Sequence, residues 1–206
     1  MNATLASPPP QTSDMTPYIL GRLPDIPLDK VGCPRRAKLE IDLLLLAIES
    51  LELGGAEQVL EMAKEMGLDS VIKNRLSLWR MRSTNPLRRA HSRRLLGMNE
   101  AKALTIVACQ LSRRYTVTIR QLLTEQQMLS SKSLPPECNF RLSEYLDLFR
   151  SHFRSRMNPR RSMVVTYADN DKLNELAIDL LSKLLFCTGT AGMERFWVSL
   201  FDGESK

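Results

Sequence analysis

The sequence predicts an all-α fold, a single compact domain of about seven helices behind a disordered N-terminal tail. Three observations lead there. From Pro34 onward apolar residues recur at every third or fourth position, the repeat of a helix that buries one face. The segments carrying that repeat are bounded by Asn, Asp, Gly and Pro, the residues that open and close helices. The one stretch that alternates as a strand would, "YTVTI" (115–119), has no second strand to pair with.

Each element follows in chain order. Residues 1–17, rich in Pro, Ser and Thr, read as the tail, and 18–206 as the helical domain. These first residues lack the basic start and apolar centre of a secretory signal. "PRRAKLEIDLLLLAIESLELGG" (34–55) opens on Pro and is expected to close on Gly54-Gly55. "AEQVLEMAKEMG" (56–67) sets Val59, Leu60, Ala63 and Met66 on one face and stops at Gly67. Asp69 is placed to cap "SVIKNRLSLWRMR" (70–82), with Ile72, Leu76 and Trp79 inward. Asn99 is expected to cap one long helix through Leu104, Val107, Leu111, Tyr115, Ile119 and Leu122 to about Met128. "SSKSLPPECN" (130–139) is a loop, and Leu142, Tyr145, Leu146, Phe149 and Phe153 make the next apolar stripe. "DNDKLNELAIDLLSKLLFCTG" (169–189) predicts a capped amphipathic helix, and "TAGMERFWVSLF" (190–201) a last one.

Length and composition bound the function. At 206 residues, 43% hydrophobic and 25% charged, the chain suits one soluble domain with an ordinary core. The longest apolar run, Leu43 to Ile48, is too short to span a bilayer. Cys33, Cys109, Cys138 and Cys187 are far apart in sequence, without a C-x-x-C pair, and read as reduced thiols of a cytoplasmic protein. Neither a metal nor a cofactor site is signalled.

Charge is the informative feature. Between Asp69 and Glu100 there is no acid, while Lys73, Arg75, Arg80, Arg82, Arg88, Arg89, Arg93 and Arg94 supply eight positive charges. A second window, Arg150 to Ala168, holds Arg150, Arg154, Arg156, Arg160 and Arg161, again without an acid. Those thirteen charges exceed the formal net charge of +6, so the rest of the chain is net negative and the protein is polarised. Twelve of the thirteen are Arg, the residue suited to bidentate contacts with phosphate or carboxylate and to stacking on bases.

Both windows repeat one motif: Asn85-Pro86 precedes Arg88-Arg89, and Asn158-Pro159 precedes Arg160-Arg161. Asn-Pro starts a helix naturally, Asn as cap and Pro in the first turn. Arginine pairs there oppose the positive end of the helix dipole, a conflict an external anion would relieve. The competing structural reading has Glu40, Asp42, Glu49, Glu52, Glu57, Glu61 and Glu65 of the first two helices pairing internally with the arginines.

Catalytic chemistry finds little support. His91 and His152 both lie inside the basic windows with no acid nearby in sequence. "CTGTAGM" (187–193) follows a helix and lacks the Lys-Ser/Thr of a phosphate-binding loop, so it reads as a tight turn between helices, with Cys187 a buried small residue. Phe196, Trp197 and Phe201 read as core by their helical spacing.

"IPLDKVGCPRR" (26–36), "MRSTNPLRR" (81–89), "FRSRMNPRRS" (153–162) and "LLFCTGTAGMERFWVSLFDGE" (184–204) resemble the blocks of an uncharacterised family of cyanobacterial proteins. The resemblance implies a cyanobacterial cytoplasm and assigns no activity and no site. The residues themselves point to a non-enzymatic regulatory protein whose arginine surface binds RNA or a protein of the RNA-processing machinery. An acidic protein surface is a further fit for that face. A protein-protein adaptor or assembly factor, in solution or at a membrane surface, whose main interface is apolar and uses Phe196, Trp197 and Phe201, is the alternative. No small-molecule substrate is expected.

Overall fold

The computed structural model describes residues 15–26, 33, 35–51, 55–72, 96–131, 140–156 and 169–202. Among them the regular elements are all helical: α1 (Thr16–Leu20), α2 (Arg35–Glu49), α3 (Gly55–Glu65), α4 (Met98–Arg114), α5 (Thr116–Ser130), α6 (Phe140–Arg156), α7 (Asn170–Phe186) and α8 (Thr190–Ser199). The all-α class expected from the sequence is the one observed.

The two most apolar segments make the centre. In α2 the run Leu43 to Ile48 is buried at every position, and in α4 so is Ala101 to Cys109. A helix buried on all sides must have neighbours on all sides. Accordingly α4 packs against α1, α2, α3, α7 and α8, while α2 packs against α3, α4, α6 and α7. α5 and α6 complete the bundle by lying on α7. Tyr145, Phe149 and Phe153 of α6 are buried as their spacing predicts, and the Tyr145 hydroxyl donates to the Ala177 carbonyl of α7 at 3.1 Å.

Several helix ends follow their residue types. Asp169 caps α7, its carboxylate accepting from the Asp171 N–H at 2.9 Å. Gly67 closes α3 in the left-handed region at φ 69°: its own N–H reaches the Lys64 carbonyl at 3.0 Å, and that of Leu68 reaches Ala63 at 2.7 Å. Gly192, in the first turn of α8, has a different reason. A Cβ there would sit 2.0 Å from the Phe186 carbonyl oxygen, so the close return of α8 onto the end of α7 needs a glycine. "CTGTAGM" is thus the tight helix-to-helix turn expected.

Other boundaries differ. The long helix expected from Asn99 to Met128 is two helices, broken at Tyr115 (φ −97°, ψ 11°). The Thr116 hydroxyl donates back to the Ser112 and Arg113 carbonyls at 3.1 and 3.0 Å, a bond that competes with the helical ladder and bends it. α4 is capped by Gly97, and Asn99 lies one residue inside the helix. Gly55 opens α3 where it was expected to help close α2. Asp69 is itself the first residue of a helical turn over 69–72, where the Leu68 carbonyl accepts from Val71 at 3.1 Å and Ile72 at 3.3 Å. α1 begins inside the stretch read as tail and was not foreseen. Leu76 and Trp79 lie outside the described residues.

Candidate functional site

The arginine segments flank described structure at both ends. Arg75, Arg80, Arg82, Arg88, Arg89, Arg93, Arg94, Arg160 and Arg161 lie outside the described residues, as do both Asn-Pro pairs and His91, and Arg156 closes α6. Arg150 and Arg154 are placed one helical turn apart on α6, beside the start of α7. Arg150 donates to Asn174 at 2.7 Å and also to Asp147, and Arg154 donates to Asn170 at 2.5 Å. Since α6 and α7 run antiparallel, 150 meets 174 and 154 meets 170, which sets these two arginines beside the N-terminal half of α7. Arg150 is drawn into the helix pair, half-buried, whereas Arg154 is exposed and held by a neutral amide.

The acids named in the structural reading are partly engaged elsewhere. Glu65 pairs with Arg114 at 2.5 Å and Glu40 with Lys183 at 3.3 Å, two cations that belong to neither window. His152 Nδ1 lies 3.2 Å from the Ser50 hydroxyl, where it joins α6 to the residue that follows α2. That is a packing role.

Cys33, Cys109 and Cys187 are buried thiols, and Cys138 lies outside the described residues. A hydrogen bond with the Cys187 thiol, together with burial, pushes the Cys109 thiol well above its ordinary value, which disfavours the reactive thiolate. Trp197 is fully buried and donates its indole N–H to the Pro24 carbonyl at 2.9 Å, while Phe201 stacks edge-on against it. Phe196 and Trp197 are therefore core, as their spacing predicted. Among the described residues there is no cluster of His, Cys, Asp and Glu fit to hold a metal, and no helix long and apolar enough to cross a membrane.

A feature missed in the sequence is an open cleft of about 740 Å³ between α1, the turn at 67–71 and α4. Pro17 and Leu20 of α1, Ser70 and Val71 of the turn, and Lys102 of α4 line it. Lys102 is 4% exposed, inside the buried run of α4, and its ammonium donates to Asp25 at 2.6 Å. The Thr16 hydroxyl, bonded to the Gly67 carbonyl at 3.0 Å, pins α1 across the cleft's end. The available signal was a lysine between Ala101 and Ala103 in an otherwise apolar stretch.

Residues 34–202 match the model of a family described as "Protein of unknown function (DUF3038)". The chain belongs to that family. The DUF3038 region takes in α2 to α8, both arginine windows and Lys102, and leaves out α1 and Asp25. No curated protein and no solved structure matches the chain.

Proposed function

We propose that this DUF3038 protein is a non-enzymatic, cytoplasmic regulator whose arginine segments bind RNA or the acidic surface of an RNA-processing protein. The observation that carries the reading is the polarised charge, thirteen cations in two windows without an acid, in a chain whose net charge is +6. Two features of the fold support it. Glu40 and Glu65 pair with Lys183 and Arg114, cations outside both windows, and Arg154 donates to the neutral Asn170, whereas Arg150 pairs with Asp147. Guanidinium groups set at a helix start suit phosphate or carboxylate oxygens.

The test is capture of partners from lysate with and without nuclease, followed by titration of a labelled single-stranded RNA across a range of salt. With RNA as ligand, the captured partners disappear on nuclease treatment. Binding then weakens with a log-log slope of roughly 0.7 per neutralised phosphate. Partners that survive nuclease, with little RNA affinity, assign the face to an acidic protein. Capture of nothing in either arm, with no RNA affinity, refutes the reading.

A further inference from the structure

We propose that the cleft between α1 and α4 binds a small organic carboxylate, anchored by the Lys102 ammonium in place of Asp25. This site is separate from the arginine segments. A charge as buried as Lys102 is costly unless paired, and the carboxylate that pairs with it belongs to a side chain that is 89% exposed. Such a pair is weak, because water competes for Asp25 throughout. An ammonium has three donors, of which, among the described residues, Asp25 takes one. A ligand carboxylate entering the cleft would give Lys102 a desolvated partner and return Asp25 to water.

The walls set the class of ligand. At about 740 Å³ the cleft lies within the range of small-molecule sites, roughly 300–1,000 Å³. Leu20 and Val71 offer apolar surface to a carbon skeleton, and Ser70 and Asn99 offer hydrogen bonds. Asp69 also lines it, so with Asp25 the cleft carries two acids against one base. That balance repels a phosphate dianion. A monocarboxylate is repelled less, and one that also carries a hydroxyl or ammonium to face the cleft's acids, as a hydroxy acid or an amino acid does, fits best.

The experiment is calorimetric titration of the full chain with sodium lactate, with alanine and with inorganic phosphate. It is repeated on Asp25→Asn and Lys102→Met, with folding checked by circular dichroism. Tryptophan fluorescence, to which Trp79 also contributes, is a second readout, since the Trp197 indole bonds to Pro24, the neighbour of Asp25. Lactate or alanine should bind saturably and change tryptophan fluorescence. Asp25→Asn should tighten binding about fivefold by removing the competing carboxylate, and folded Lys102→Met should lose it. Should Lys102→Met fail to fold, the Asp25→Asn arm decides. Absence of saturable binding to Asp25→Asn, binding indifferent to either substitution, or phosphate binding tighter than both carboxylates would each overturn the proposal. RNA binding through the arginines should be unchanged in Asp25→Asn, which keeps the two readings distinguishable.

Discussion

Replacing Gly192 by Ala tests how closely α8 is folded back onto α7. The new Cβ would lie 2.0 Å from the Phe186 carbonyl oxygen, 3.1 Å from its carbonyl carbon and 3.5 Å from the Cys187 Cα. An ordinary C···O approach is about 3.3–3.6 Å, so the start of α8 must retreat by more than about 1 Å. The obstacle is backbone, and no side chain can swing aside. The retreat would draw Met193, Phe196 and Trp197 out of the core, where all three are buried. Overpacking of this kind costs about 1–3 kcal/mol, and a backbone clash belongs at the upper end, about 3 kcal/mol. In a domain of this size that lowers Tm by roughly 6–12 °C. Gly189→Ala is the control. That residue has φ −97° and ψ 157°, with nothing within 4 Å of a Cβ, so its cost should be only that of a poorer N-cap residue, about 0.5–1 kcal/mol. Urea unfolding followed by circular dichroism should show a lower midpoint for Gly192→Ala at unchanged m. Equal stability of the two variants would refute the close-approach reasoning.

Four further outcomes are expected. Tyr145→Phe removes the buried bond to Ala177 and should cost about 1 kcal/mol by urea unfolding. Glu125 accepts from the Leu142 N–H at 3.0 Å and so caps α6 from α5; Glu125→Ala should cost about 1–2 kcal/mol and speed amide exchange at the start of α6. Burial raises the Tyr145 phenol above 10.0, and Cys187 with burial raises the Cys109 thiol above 9.0, so the folded state keeps protons that the unfolded chain releases. Stability should therefore be intact below those values and fall above them by about 1.4 kcal/mol per pH unit per group, where a flat alkaline profile would contradict the burial. Arg88→Ala with Arg89→Ala, and Arg160→Ala with Arg161→Ala, should each weaken partner binding tenfold or more while Tm moves by less than about 2 °C; Arg→Lys at the same positions should restore part of the affinity, as charge returns without the guanidinium fork.

Most of the fold was legible because apolar spacing reports which face of a helix is buried. Leu142, Tyr145, Phe149 and Phe153 have the period of a buried stripe, and all four are core. The break at Tyr115 was not legible from that signal: Leu111, Tyr115, Ile119 and Leu122 keep their period across it. A bend of one residue barely shifts the stripe. Its cause is the Thr116 hydroxyl, a polar group that apolar spacing ignores. The short α1 was hidden for a related reason. With five residues it has too few turns to show a period, and it is held by the Thr16 bond to Gly67, in the turn after α3, and by packing on α4.

The candidate sites divide along the same line. Arginine windows are visible in sequence because charge excess is a sum over neighbours along the chain. The Lys102 cleft depends on residues brought together from three separate segments, with Asp25 and Ser70 far from Lys102 in the chain. Spacing alone places Lys102 within the buried stripe of α4, where a polar side chain looks like an interruption of the core. Its meaning changes once Asp25 is seen to pair with it from an exposed position, because a fold seeking only stability could fill that place with an apolar residue at no electrostatic cost. Glu125 shows the contrasting case: its buried carboxylate satisfies a backbone N–H at the start of α6, so it repays its own burial. A buried charge that caps a helix start explains itself structurally, and the ligand proposed for the cleft would do the same for Lys102.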